Sequence, residues 1–175
     1  MRRFNTLFAC LLLLPAAGLI AGDITDARIA SIVVTANQVD VDAGAFVASR
    51  TNNAAVKSFA QLMVTDHNAV NRAATELVTK LKVTPQDNPT SQSLKAGGEK
   101  NLAALKDLAG PALDKAYIDH EVAYHQQVID ALDKILIPGA RNAELKNLLV
   151  TVRPAFVAHL EHAKALQATM ARRQS

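Results

Sequence analysis

Four long stretches of this chain repeat apolar residues three and four positions apart, a spacing that admits little besides packed helices. The first stripe is Ile29, Val33, Ala36, Asp40, Ala43, Val47. The second is Val56, Ala60, Met63, His67, Val70, Ala74, Leu77, Leu81. The third is Ile118, Glu121 with Val122, His125, Ile129, Leu132, Leu136, and the fourth is Leu145, Leu148, Val152, His159, Ala163, Leu166, Met170. Aromatic residues make up only 4% of the 175, and no Val/Ile/Thr alternation is bounded by hairpin turns, so strands are not expected. The pattern predicts an all-α antiparallel four-helix bundle, with helices about 20° from antiparallel.

Punctuation sets the helix limits. The first helix is expected over residues 23–50, stopping at Thr51-Asn52-Asn53, and the second over 54–82. Pro85, Asn88 and Pro89 make residues 83–91 a break. A short extra helix between the two hairpins is expected over 93–108, weakened by Gly97-Gly98 and ended by Gly110-Pro111. The third long helix spans 111–136 and the fourth 142–172, with Pro154 removing one backbone bond inside it.

Residues 1–22 read differently. Arg2 and Arg3 precede an apolar run from Phe4 to Leu14, and small residues lead to Ala21-Gly22 before Asp23. That is the pattern of a secretory signal peptide, and it predicts that residues 23–175 form one bundle domain. A retained N-terminal membrane anchor is the alternative, since Leu19 and Ile20 sit where small residues favour cleavage. Without Arg2 and Arg3 the 19 basic residues fall to 17 against 16 acidic, a net charge of +1. The single cysteine, Cys10, also lies in this segment, so the remaining chain suits an oxidising periplasm or the cell exterior. Near-zero charge and basic residues spread without aromatic interleaving argue against a nucleic-acid partner. No nucleophile elbow, phosphate-cradling glycine loop or paired-cysteine motif identifies a reaction.

The polar members of the stripes carry the functional signal. Asp40, His67, Glu121, His125 and His159 lie on faces that are otherwise apolar. His125 falls within about 20° of Ile118 and Leu136, whereas His120 points about 140° away and is expected in solvent. Asp40 and His67 differ in height by about 5 Å, and Glu121 and His159 by about 3 Å, measured from the turns that join their helices. Burying several titratable groups in an apolar core is costly unless they are paired or bound to metal. Three imidazoles with one or two carboxylates suit one Zn²⁺, Cu²⁺, Mn²⁺ or Fe²⁺ ion. The candidate ligands are His67, His125, His159 and Glu121, with Asp40 or Asp66 as a further ligand or an orienting partner. A dinuclear iron centre would need two Glu-x-x-His motifs and more carboxylates than these stripes contain. The rival reading is an envelope structural or interaction module whose histidines are hydrogen-bonded core residues. Tyr117 and Tyr124 read as packing residues with hydroxyl partners.

Several short pieces also resemble one family. They are Val56-Lys57-Ser58-Phe59-Ala60 with Met63-Val64-Thr65-Asp66-His67, then Ala116-Tyr117 with His125, then Pro154-Ala155-Phe156 with His159-Leu160. From about residue 40 to 166 the chain resembles the domain of unknown function 4142 family, and the resemblance implies a ferritin-like four-helix bundle and export. Asp40 and Asp42 stand where that family usually carries Glu, which shortens the reach of a ligand from the first helix.

Overall fold

Four helix starts in this chain follow from side chains that satisfy the first backbone N–H groups, and the fifth, at Ala109, is followed instead by Pro111 in its first turn. The computed structural model describes residues 24–172. Helix α1, Asp26–Arg50, starts at Thr25, whose hydroxyl accepts from Arg28 N at 3.3 Å. Helix α2, Ala54–Lys80, starts at Asn53, which accepts from Ala55 N and Val56 N. Helix α3, Pro89–Lys106, opens on a reciprocal cap between Asn88 and Ser91. Helix α4, Gly110–Ala131, runs into a π-helical turn, Leu132–Leu136, and a last turn, Ile137–Gly139. Helix α5, Ala143–Arg172, is capped by Asn142 and continues through Pro154. No strand occurs among the described residues.

Two boundaries differ from expectation. Pro89 opens α3 rather than belonging to the break, because a missing N–H costs nothing in the first turn of a helix. Gly97-Gly98 does not interrupt α3; a Cβ on Gly98 would stand 2.5 Å from Val39 Cγ2, so the glycine lets α3 press on α1. Gly98→Ala should therefore destabilise. Overpacking costs about 1–3 kcal/mol against a stiff β-branched neighbour, and alanine's helical advantage returns only about 1 kcal/mol. Urea denaturation of the two proteins checks the net loss of about 1 kcal/mol. The proposed signal peptide, residues 1–22, lies outside the described residues.

Helix α1 packs against α2 and α3, α4 against α5, α2 against α5, and α1 against α4. The loop after α2 is pinned to the start of α1 by Gln86 N to Ala27 O at 2.9 Å and by Ser31 Oγ to Asp87 at 3.0 Å. The Asp26 carboxylate accepts from Arg141 N and Asn142 N, fixing the approach to α5.

The buried apolar residues form two clusters. One contains Ile29, Val33, Val70, Ile129, Leu149, Phe156 and Leu160. The other contains Ala43, Val47, Phe59, Met63, Tyr117, Ile118 and Ala163. On α5 Leu145, His159 and Ala163 are buried as expected, with Leu149, Phe156 and Leu160 beside them, whereas Leu148 and Val152, expected on the seam, are half-buried. Between Leu145 and His159 the buried face lies to one side of the expected one. On α1, α2 and α4, the residues between the two clusters are Asp40, His67, and Glu121 with His125. His159 joins them from α5, between Phe156 and Ala163. A polar layer thus divides the apolar interior.

Candidate metal centre

Five titratable side chains make up this layer, and none is more than 3% exposed: Asp40, His67, Glu121, His125 and His159. The three imidazoles form a nearly regular triangle. Ring centroids lie 5.5 Å apart for His67 and His125, 5.3 Å for His67 and His159, and 5.4 Å for His125 and His159. Each ring offers a nitrogen within 4.8 Å of the other two. A second group, Asp40, Glu121 and His125, meets the same limit and shares His125 with the first.

Hydrogen bonds outside the triangle settle which nitrogen of each ring is bare. Asn37 Nδ2 donates to Val33 O at 2.8 Å, so Asn37 Oδ1 must accept, and its 2.7 Å partner, His67 Nδ1, carries the proton. His125 Nδ1 donates to Glu121 O at 3.1 Å. His159 Nε2 donates to Asp66 Oδ2 at 2.9 Å. The free lone pairs are then on His67 Nε2, His125 Nε2 and His159 Nδ1. All three atoms are buried and accept no hydrogen bond. One carboxylate oxygen, Asp40 Oδ2, lies 3.0 Å from His67 Nε2 and 3.6 Å from His125 Nε2. Two lone-pair atoms that close repel unless a proton or a cation stands between them.

Burial disfavours the charged form of each of these groups. It pushes His125 down to about 3, and His67 well below the usual imidazole range, with the neighbouring imidazoles adding to both effects. Burial also lowers His159, against the opposing pull of Asp66. The carboxyls move the other way. Burial raises Asp40 to about 7, eased by a hydrogen bond with Glu121, and lifts Glu121 well above the carboxylate range. Neutral imidazoles beside carboxyls that burial makes slow to ionise are the state from which a cation displaces protons.

The structure brings His67, His125, His159 and Asp40 to one point. Glu121 reaches the same layer on the Nδ1 side of His125, 3.4 Å away, and pairs with Asp40. Asp66 stays at the half-buried edge and touches only His159 within this set. His120, expected in solvent, is half-buried and stacked on Tyr124, and burial pushes it down to about 4. Tyr124 Oη donates to Ala36 O at 2.9 Å, but Tyr117 Oη is buried without the expected partner.

Two contributors escaped the sequence reading. Asn37 lies one turn before Asp40 on the same face and is buried, next to Ala36 of the expected stripe. Phe156 lies flat on His67, with 7° between ring planes and 5.2 Å between centroids. Its place one turn before His159 was the available signal.

These observations define an all-helical protein with a buried imidazole–carboxylate cluster. The chain belongs to the family described as Domain of unknown function (DUF4142), whose family model matches residues 15–166. No curated protein and no solved structure matches it significantly.

Proposed function

We propose that this is an exported metal-binding protein, a ferritin-like antiparallel four-helix bundle that holds one divalent transition-metal ion in its interior. His67 Nε2, His125 Nε2, His159 Nδ1 and the Asp40 carboxylate are the ligands. Glu121 balances charge beside them, while Asn37 and Asp66 hold two of the imidazoles in the required tautomer. The observation that carries the reading is the convergence of three bare, buried imidazole nitrogens, each ring anchored through its other nitrogen. Three nitrogen ligands and one oxygen suit Zn²⁺ or Cu²⁺ first, then Fe²⁺ and Mn²⁺. Tetrahedral ligation needs donors about 3.4 Å apart, so the imidazoles close in slightly around the ion. The packing of α1 on α2 and of α4 on α5 supports the paired-hairpin bundle. The charged, apolar and small-residue succession of residues 1–22 supports export to the periplasm or the exterior, with a retained membrane anchor as the alternative.

Elemental analysis with intact mass on protein recovered from the periplasm tests this. The expected result is one metal ion per chain on a chain that has lost residues 1–22. The His67→Ala, His125→Ala, His159→Ala triple variant should carry none. Asn37→Ala should weaken binding about 10–100-fold, the usual effect of losing an orienting partner. Wild-type protein that stays metal-free in excess Zn²⁺ and Cu²⁺ would refute the reading.

A further inference from the structure

A cavity of about 70 Å³ lies beside the polar layer, bordered by α1, the start of α3, α4 with its π turn, and α5. Its walls include Val33, Leu94, Val128, Leu132, Leu149 and Val152. His67, Asn37, Tyr124, Gln127 and the half-buried Thr90 also border it, so the pocket opens to solvent, but Asn37 and Tyr124 spend their polar atoms elsewhere. Asn37 joins Val33 O and His67 Nδ1, and Tyr124 Oη donates to Ala36 O. Water needs two to four polar partners to settle in such a space, and most of this wall is apolar, so water there is weakly held and an apolar molecule that displaces it gains affinity. The volume is about half that of the roughly 150 Å³ apolar cavities that accept benzene or xenon.

Two departures from regular helix meet at this cavity. Leu132 and Leu136, the ends of the π-helical turn, line it, and so do Val152 and Phe156, on either side of Pro154. Such turns cost backbone hydrogen bonding, and they concentrate where a helix is shaped around a site. We infer that the cavity is a binding site for a small apolar molecule of a few atoms, of the class of dioxygen, seated against the ring of His67. The inference rests on the cavity walls and not on the metal reading.

Xenon is the probe. Metal-free protein, kept in chelator, is placed under increasing xenon pressure, and methyl groups are followed by ¹H–¹³C NMR. Saturable shifts are expected at Val33, Val128, Leu132, Leu149 and Val152. Ala36→Leu and Ala131→Leu, which add carbon at two points of the wall, should each weaken xenon binding at least tenfold. Shifts that grow linearly and are spread over surface methyls, or no shifts at all, would overturn the inference. So would undiminished binding in whichever filled variant folds. Because no metal is present, failure here leaves the metal centre untouched, and failure of the metal centre leaves this site untouched.

Discussion

Zn²⁺ added to chelator-stripped protein is expected to raise its melting temperature by roughly 5–11 °C once free metal reaches a hundredfold excess over Kd. The size follows from mass action. A ligand at that excess that binds only the folded state adds about 2.7 kcal/mol, and each kcal/mol moves the midpoint of a domain this long by about 2–4 °C. The effect depends on the imidazoles at the polar layer. His125 Nε2 is bare, buried and 3.6 Å from the Asp40 carboxylate, so His125→Ala should remove the shift. His120 sits outside the triangle, stacked on Tyr124, and His120→Ala should keep it. Calorimetry with and without Zn²⁺ measures both. A shift that survives His125→Ala would place the ion elsewhere.

Asp40→Asn is expected to stabilise the metal-free protein in alkaline solution by up to about 4 kcal/mol. Burial raises the Asp40 carboxyl from 3.8 to about 7, so the folded chain keeps a proton that the unfolded chain releases. The sign follows directly: this group's contribution is favourable when protonated and is lost as pH rises toward 7. Below about pH 4 both states are protonated, so the variant gains nothing there. Above pH 7 the folded protein must bury a charge, at a cost on the order of 4 kcal/mol for that separation of values. Denaturant titrations in chelator at pH 4 and pH 8.5 should show a gap that opens only at the higher pH. A gap of equal size at both values would mean that the asparagine acts through packing. The same variant should bind metal more weakly, since it loses a negative ligand.

The helices were legible from spacing because their apolar repeat and their caps are local. Asn53 falls in the break expected before the second helix and caps α2, whereas the break expected over 83–91 includes Asn88 and Pro89, which cap and open α3. What was not legible depends on contact between distant segments. Gly98 reads as a weak point in isolation, and only Val39 of α1 explains it. The polar residues on the stripes could be picked out because they break a repeat. Their meeting depends on how one hairpin registers against the other, which no local pattern encodes. Glu121 shows the difference: periodicity places it on the face of His125, but the fold turns its carboxyl toward Asp40. Asn37 is not conspicuous in the sequence because a neutral amide is not a usual metal ligand, although its two hydrogen bonds, to Val33 O and His67 Nδ1, decide which nitrogen of His67 is free.

A layer walled above and below by oily side chains meets water at its edge, where half-buried Asp66 accepts from His159. An ion seated there would reach solvent past that edge or when neighbouring helices part, so its residence would depend on breathing of the fold as well as on the strength of its bonds. A cargo held in that way would be slow to exchange with competing chelators even where equilibrium favours them, and the protein would act as a vault rather than a buffer.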